Sequence, residues 1–140
     1  MDRIEDCISF LVGKAAQQIA RRARDKLAPH GVTPVQYAVL HALWEQEGRS
    51  GAEIGARLSI DSATATGVID RLEAAGLLLR RADPEDRRVH RLFLTGRGRS
   101  LRAPLDAAMD GLNAEVWAGM GRAEAAALRA SLRRLGAAGS

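Results

Sequence analysis

The side chains best suited to chemistry in this sequence are arginines, and they concentrate in one segment. Residues 77–102 contain eight arginines against three carboxylates (Asp83, Glu85 and Asp86), a local charge of +5 in a chain whose formal net charge is +4. The guanidinium group binds phosphate oxygens and guanine edges through paired hydrogen bonds. Positive charge gathered in one segment therefore predicts a polyanion as the partner. Charge alone leaves open the alternative of a solvated arginine-rich surface.

Other combinations of reactive side chains predict neither catalysis nor metal binding. No nucleophile, base and orienting group can be assembled into a catalytic set. His30, His41 and His90 lack metal-ligand spacing. Cys7 is the single cysteine, which excludes an intramolecular disulfide and a cysteine zinc site. We therefore expect a protein that is not an enzyme and needs no metal or cofactor.

Length and composition indicate one globular domain. The chain has 140 residues, of which 46% are hydrophobic and 27% charged, as is usual for a globular protein. Its first residues lack the basic flank and apolar run of a signal peptide. No apolar run approaches the roughly 18 residues of a membrane span. We expect a cytoplasmic protein without a membrane partner.

The spacing of apolar residues predicts a mainly α-helical chain with one β-hairpin. Thr33 and Asp61 are suited to cap helices. The fifth helix is expected to be interrupted or bent near Pro104. Helices are predicted over 4–27, 34–48, 51–60, 62–75, 96–119 and 122–135, and the hairpin strands over 77–81 and 89–95.

The helix over 62–75 has an unusual outer face. Its core side is predicted to contain Ala65, Val68, Ile69, Leu72 and Ala75. The opposite side is small and hydroxyl-rich, which suits a helix that lies deep in a DNA major groove. Packing on a neighbouring helix is the alternative, because small residues also allow that close approach. The residues of this outer side are Ala63, Gly67 and Asp70, flanked by Thr64, Thr66 and Arg71.

The segment DPEDRRVHRLFLT, residues 83–95, follows the helix pair 51–60 and 62–75 as the turn and second strand of the hairpin. A helix-turn-helix followed by a basic hairpin is the winged helix arrangement, and it favours the DNA interpretation. The turn projects Arg87 and Arg88 toward a minor groove, whose negative potential attracts arginine. Asp83 and Asp86 are expected to cap the turn and to hold an arginine in a set geometry.

The runs TPVQYAVLHAL and DSATATGVIDRLEAAGLLLRRADPEDRRVHRLFLTGRG resemble the MarR family of bacterial transcriptional regulators, and the likeness extends over roughly 4–135. It implies one MarR-like domain over 1–140, with a DNA-binding winged helix over about 33–100. The terminal segments, about 1–30 and 101–140, are implied to be dimerisation helices. The resemblance also implies that Asp61 can pair with Arg88. The DNA contacts that it implies are Ser62, Thr64, Thr66, Arg71, Arg87 and Arg88, with Asp61 and Asp86 as wing support.

A homodimer is also expected from the residues themselves. The first and last helices have apolar stripes, the last one through Leu128, Leu132 and Leu135. Pairing these stripes across a twofold axis would bury them. It would also place two recognition helices in successive major grooves of double-stranded DNA, roughly 34 Å apart. The resemblance implies in addition an obligate homodimer that reads a pseudo-palindromic operator.

The resemblance further implies a repressor released by a small aromatic or acyl effector. The effector is expected between the first, second and fifth helices, in a mostly apolar pocket with few polar anchors. The alternative is that its aromatic and methionine members simply belong to the core. The pocket residues are predicted to be Phe10, Lys14, His41, Trp44 and Met109.

Two alternative functions remain open. One branch of the family, the organic hydroperoxide regulators, senses oxidants through a lone cysteine in the first helix. In this sequence the position of that sensing cysteine, counted back from Tyr37, falls nearer Ser9 than Cys7. We therefore interpret Cys7 as a packed core thiol and keep oxidant sensing as an alternative. The other alternative is a winged helix that binds proteins and not DNA.

Overall fold

The computed structural model describes residues 1–137. Its secondary structure is the predicted one, mainly α-helical with one two-stranded antiparallel hairpin. The predicted C-terminal dimerisation segment extends to residue 140, and its residues 138–140 lie outside the described part of the chain. The elements are α1 (Ile8–Leu27), α2 (Pro34–Glu45), α3 (Gly51–Leu58), α4 (Ser62–Ala74), β1 (Leu78–Ala82), β2 (His90–Leu94), α5 (Gly96–Ser100), α6 (Arg102–Ala118) and α7 (Arg122–Ala137), with 3-10 turns at Ile4–Asp6 and Ala28–His30.

Thr33 and Asp61 cap the N-termini of α2 and α4, as the sequence predicted. The Thr33 hydroxyl accepts a hydrogen bond from the Gln36 amide, and the Gln36 side chain accepts one from the Thr33 amide. Asp61 caps α4 by accepting from the Thr64 amide at 2.7 Å. Each cap satisfies amides that have no carbonyl partner in the first turn of a helix. The predictions of helix starts at Pro34 and Ser62 are confirmed.

Several helix boundaries differ from the prediction, and three of the differences have a visible cause. The first α-helix begins at Ile8 because Cys7 has an extended backbone. The second ends at Glu45 rather than at Gly48, because the Gly48 amide donates to the Leu92 carbonyl of β2. The predicted fifth helix divides at Leu101 into α5 and α6, which places Pro104 in the first turn of α6. Proline is tolerated there, since a first-turn amide needs no helical partner.

The hairpin is joined to the turn between α2 and α3. Arg80 faces Leu92 in the β1–β2 register. The amide of Leu92 donates to the Arg49 carbonyl, and an isolated bridge links Ser50 with Arg91. The segment over 48–50 therefore lies along β2 as a short third partner, which the sequence analysis did not predict.

One apolar core holds the winged helix together. Helix α4 contributes Ala65, Val68, Ile69 and Leu72, as predicted, whereas Ala75 is exposed at its C-terminal cap. Because α4 ends at Ala74, Ala75 lies outside the helix, and the helical periodicity no longer predicts which way its side chain points. The fully buried large side chains come from the packed faces of several elements: Leu27, Val39, Leu40, Leu43, Ile54, Val68, Leu72, Leu78, Leu92 and Leu105.

A close backbone approach fixes α5 beneath the hairpin. A Cβ at Gly98 would clash with the Leu77 carbonyl oxygen. The Trp44 indole donates to the Gly98 carbonyl at 2.9 Å. Only a residue without a side chain allows this contact, so Gly98 joins α2, α5 and the start of the hairpin.

The terminal helices α1 and α7 make specific side-chain contacts with α6. Glu115 accepts from Lys26 at 2.6 Å and from Arg22 at 2.9 Å, and these two cations lower the pKa of the Glu115 carboxyl. In the other terminal helix, the Arg129 guanidinium lies 4.8 Å from the centre of the Trp117 ring. Large apolar side chains on α1 and α7 stay exposed, namely Ile8, Phe10, Leu11, Val12, Ile19, Leu132 and Leu135.

Within residues 1–137, none of the helices combines the length and the apolar character that crossing a membrane requires.

Candidate nucleic-acid interface

The outer face of α4 is exposed and largely free of internal bonds. Ser62 and Thr66 are exposed, and their hydroxyl groups have no hydrogen-bond partner among the described residues. Arg71 is also exposed and makes no ion pair in this part of the chain. Hydroxyl and guanidinium groups without partners are available to phosphates or base edges. Three of the four predicted DNA contacts of α4, namely Ser62, Thr66 and Arg71, are therefore accessible to a nucleic acid.

Thr64 and Asp61 have a local role at the start of α4. The Thr64 hydroxyl donates to Asp61 Oδ2 at 3.0 Å, and the Asp61 carboxylate also accepts from the Thr64 amide. These bonds lower the pKa of Asp61, the amide bond having the larger effect. The implied pairing of Asp61 with Arg88 is not present: both oxygens of Asp61 bind Thr64, and Arg88 binds Asp86. Asp61 supports the recognition helix rather than the wing.

The wing tip is ordered by its two aspartates, as predicted. Asp83 Oδ1 accepts from the Glu85 amide at 2.9 Å. Asp86 accepts from the amide and the guanidinium of Arg88, and these bonds lower the pKa of Asp86. The side chain of Arg88 nevertheless remains 91% exposed. Asp86 thus holds the Arg88 guanidinium in solvent, where it can contact a nucleic acid.

The arginines of residues 77–102 divide into two groups. Arg87 has no bond to another described side chain, Arg88 pairs only with Asp86, and Arg81 lies 5.0 Å from the centre of the Phe93 ring. The other arginines are bound by carboxylates or carbonyls: Arg80 by Asp70 and Glu73, Arg91 by Asp83 and Gly48, Arg97 by Ala75, Arg99 by Glu47, and Arg102 by Asp106. Much of the local charge of +5 is therefore neutralised within the fold, and the outward cations are concentrated on the wing.

Arg91 anchors the base of the wing. Its guanidinium donates to Asp83 Oδ2 at 2.8 Å and to the Gly48 carbonyl at 2.8 Å. Asp83 is 8% exposed. Its pKa is lowered first by the Glu85 amide and then by Arg91. Burial strengthens such charge-assisted bonds. The sequence analysis expected Asp83 to hold an arginine but could not identify Arg91, which is eight positions away.

The five predicted effector residues do not share one cavity within a single chain. Phe10 and Lys14 line an open groove of α1. Trp44 lines a groove beside α5 and α6, and His41 lines another between α2 and α3. Met109 packs against the core. A single chain therefore does not bring the five residues together, and the shared pocket stays a prediction.

A polar cluster joins α2 to α6 near two of those residues. The Tyr37 hydroxyl donates to Asp106 Oδ1 at 2.9 Å, and His41 Nε2 lies 3.6 Å from the same oxygen. Burial, followed by the Asp106 carboxylate, raises the pKa of Tyr37. His41 also meets Glu45 at 3.2 Å. Sequence reasoning missed this cluster, although Tyr37, His41 and Trp44 follow helical spacing on α2 and their rings touch edge to face.

Cys7 is not a packed core thiol, contrary to the prediction. It lies half-exposed before α1, and its sulfur is 3.2 Å from the Ser9 hydroxyl. The Ser9 hydroxyl and then the amides of Phe10 and Ser9 hold the pKa of the Cys7 thiol below its ordinary value. Among residues 1–137 no group of three or more histidine, cysteine or carboxylate side chains is arranged to hold a metal ion.

Sequence comparisons agree with this geometry. Residues 32–90 match the profile of the MarR family. The chain is 44% identical over 103 residues to the HTH-type transcriptional regulator TtmR of Methylorubrum extorquens, a match that covers 74% of this chain and 53% of TtmR. It therefore spans about half the length of that relative. It is 30% identical over 100 residues to the organic hydroperoxide resistance transcriptional regulator of Bacillus subtilis, covering 71% of this chain and 68% of that protein.

Solved structures extend the likeness to almost the whole chain. CouR from Rhodococcus jostii RHA1 bound to p-coumaroyl-CoA is 28% identical with a TM-score of 0.84, covering 96% of this chain and 95% of CouR. The transcriptional repressor CouR bound to a 23-mer DNA duplex is 29% identical with a TM-score of 0.85, covering 97% and 96%. The terminal helices are thus part of the shared fold and not additions to it. This chain belongs to the MarR family of winged helix DNA-binding transcriptional regulators.

Proposed function

We propose that this protein is a sequence-specific repressor that a small aromatic or acyl effector releases from a pseudo-palindromic operator. The observation that carries the DNA-binding surface is the exposure of its hydroxyl and guanidinium groups. Ser62, Thr66 and Arg71 on α4 and Arg87 and Arg88 on the wing are accessible, whereas the arginines behind them are bound within the fold. We assign α4 to the major groove and the wing to the adjacent minor groove.

The proposed active form is a homodimer in the cytoplasm. Ile8 on α1 and Leu135 on α7 are 64% and 57% exposed, which is more than a large apolar side chain usually retains. A second copy that covers these stripes across a twofold axis would also present two copies of α4 to successive major grooves. The structural relative CouR is described as a transcriptional repressor bound to a 23-mer DNA duplex, which supports duplex DNA as the partner.

The effector is proposed to act between α1, α2 and α6, with the pocket completed by dimer assembly. The likeness to CouR bound to p-coumaroyl-CoA supports an aromatic acid or its thioester as the ligand class. On this chain, His41 and Trp44 on α2 supply an imidazole and an indole near the Tyr37–Asp106 pair. A ligand releases DNA only if it binds the DNA-free geometry better than the DNA-bound geometry.

DNA binding is tested by measuring the affinity of the purified protein for a duplex that it selects from a random pool, at several salt concentrations. Neutralised phosphates release counterions, so the logarithm of the association constant should fall linearly with the logarithm of salt concentration, by roughly 0.9 per phosphate contacted. Preference for the selected duplex over a shuffled one supports a sequence-specific regulator. Absence of DNA binding at low salt would instead favour the protein-interaction module.

Oxidant sensing is the second candidate, and the Cys7 geometry favours it. A half-exposed thiol with a lowered pKa has more of the reactive thiolate at neutral pH. A panel of phenolic acids, their thioesters and hydroperoxides separates the two candidates when added to the protein–duplex complex. Release by an aromatic acid or thioester that persists in Cys7→Ser supports the pocket. Release by peroxide alone that is lost in Cys7→Ser supports the thiol.

A further inference from the structure

An ion-pair bridge connects the recognition helix with the wing. Arg80 of β1 donates from Nη2 to Asp70 Oδ1 at 2.6 Å and from Nη1 to Glu73 Oε1 at 2.8 Å. The Arg80 amide donates to the second Glu73 oxygen at 3.1 Å. Both carboxylates belong to the last two turns of α4, so one residue of the wing binds two residues of the helix.

The main-chain bond gives the bridge a fixed geometry. Arg80 faces Leu92 across the hairpin, and both the amide and the carbonyl of Leu92 bond to the 48–49 segment. The Arg80 amide therefore points to the outer edge of β1, where Glu73 satisfies it. The Arg80 side chain is only 24% exposed, which limits the positions that it can take. Glu73 is held by an amide and a guanidinium of one residue, a more directional arrangement than a surface ion pair.

The charge of the bridge is opposite to what direct phosphate binding requires. Two carboxylates and one guanidinium carry a net charge of −1, on the helix that reads DNA. A polyanion is repelled by such a group, so electrostatics alone would favour its removal. The contribution of the bridge to DNA binding must then come from geometry.

The geometry at stake is the angle between α4 and the hairpin. The chain passes from α4, with its cap Ala75, to β1 through two residues, Gly76 with a positive φ of 74° and Leu77. At this base the Leu77 amide also donates to the Leu72 carbonyl. Strands rise about 3.3 Å per residue, so the wing tip at Pro84 lies roughly 13 Å beyond Arg80. A tilt of about 10° at the base would move the tip by about 2 Å, enough to break hydrogen bonds whose usual lengths are 2.7–3.2 Å.

We propose that Arg80 is a specificity-determining positioning residue, which fixes the wing relative to the recognition helix by bridging Asp70 and Glu73. This inference rests on the proposed DNA-binding function. The bridge lets α4 and the wing tip engage their grooves together on a matching sequence. Non-specific binding needs only the outward cations and does not depend on that angle.

Asp70→Asn provides the sharpest test, because charge and geometry predict opposite outcomes. The matched control is Glu85→Gln: Glu85 is an exposed wing carboxylate whose side chain makes no hydrogen bond or ion pair within residues 1–137. Both variants remove one negative charge near the DNA. Affinity is measured for the duplex selected by the wild-type protein and for a shuffled duplex of equal composition.

We expect Asp70→Asn to lower the ratio of selected to shuffled affinity by about tenfold, which corresponds to the coupling typical of residues in one network. Glu85→Gln should raise both affinities together and leave their ratio unchanged. If Asp70→Asn also raises both affinities with an unchanged ratio, the positioning role is overturned. Failure of the wild-type protein to bind any duplex would instead refute the proposed function.

Arg80 variants separate positioning from phosphate contact. Arg80→Gln should lower selected-duplex affinity while its salt dependence keeps the wild-type slope; a direct contact would reduce that slope by about 0.9. Arg80→Lys keeps the charge but lacks the guanidinium fork, so it should not restore specificity. The double variant Asp70→Asn/Arg80→Gln should match Arg80→Gln alone, because both changes break one bridge. Additive losses or a reduced slope would overturn the proposal, and circular dichroism confirms folding of each variant.

Discussion

The winged helix and the terminal helices differ in how completely they bury their own apolar side chains. In the winged helix, Leu40, Leu43 and Leu72 are at most 1% exposed. On the terminal helices, Ile8 and Leu135 are 64% and 57% exposed. Burial of one such side chain contributes about 1.5–3 kcal/mol. The winged helix therefore buries its large apolar side chains within its own chain. The exposed apolar side chains of the terminal helices gain comparable stabilisation only when a second surface covers them.

The largest effect is expected at the terminal helices. Leu132→Asp should abolish the dimer or unfold the protein, since an unpaired carboxylate buried between subunits is unfavourable by roughly several kcal/mol. Leu128→Asp should act in the same way. Size-exclusion chromatography with light scattering measures the assembly directly.

Ala130→Asp is the matched control, because Ala130 lies on the opposite side of α7 and is exposed. It should leave the dimer intact. If Leu128→Asp and Leu132→Asp both remain dimeric, α7 does not provide the interface, and the contrast between the two regions needs another explanation.

The next effect is expected at the wing and in DNA binding alone. Arg88→Ala should weaken binding to the selected duplex by about 1–3 kcal/mol, the range for a base-contacting arginine. Fluorescence anisotropy measures the loss, and dimer mass and circular dichroism should not change. Arg133→Ala removes the same charge from α7 and should have little effect. Equal affinity of Arg88→Ala and the wild type would contradict the assignment of the wing.

A smaller effect is expected at the start of α4. Asp61→Ala removes the cap and should lower the Tm by a few degrees. Asp61→Asn keeps an oxygen acceptor and should recover most of the loss. Because Asp61 binds Thr64 and not Arg88, the losses of DNA affinity in Asp61→Ala and Arg88→Ala should add in the double variant. Strong non-additivity would show that the two side chains do pair on DNA.

The smallest effect is expected on the pH dependence of folding stability, at Asp83. Hydrogen bonds from the Glu85 amide and from Arg91 lower the pKa of Asp83 in the folded protein. A lowered folded pKa stabilises the protein above the ordinary aspartate pKa of about 3.9, and this stability is lost as the pH falls through the folded pKa. Asp83→Asn should be less stable near neutral pH, and its stability should fall less steeply in acid. Urea unfolding at several pH values measures both; parallel pH profiles would contradict a stabilising role for this pair.

Sequence reasoning succeeded where the physical cause is local. Thr33 and Asp61 cap helices through amides three residues away, and Asp83 and Asp86 order a turn through amides two residues away. Helical spacing located the buried side of α4 because that side follows from a constant rotation per residue. These features predicted both the winged helix and the exposure of Arg88.

The sequence did not predict the contacts between side chains of different helices and strands. The Arg80 bridge and the Arg91–Gly48 bond join residues whose separation in sequence has no characteristic value. Periodicity gives the apolar face of a helix but not the rotation of that helix against its neighbour. For this reason Phe10 and His41, both consistent with a pocket, lie on separate surfaces of the single chain.

The positions of the two tryptophans give this molecule an optical property. The indole N–H of Trp44 donates a hydrogen bond to the Gly98 carbonyl inside the winged helix. The ring of Trp117 lies under the Arg129 guanidinium between α6 and α7. One indole is therefore bound to a carbonyl and the other to a cation, so their emission should differ. In Trp117→Phe the remaining fluorescence reports on the winged helix, and in Trp44→Phe it reports on the terminal helices. The intrinsic fluorescence of the chain can thus resolve, without an added dye, which region responds first to DNA, to an effector or to dilution.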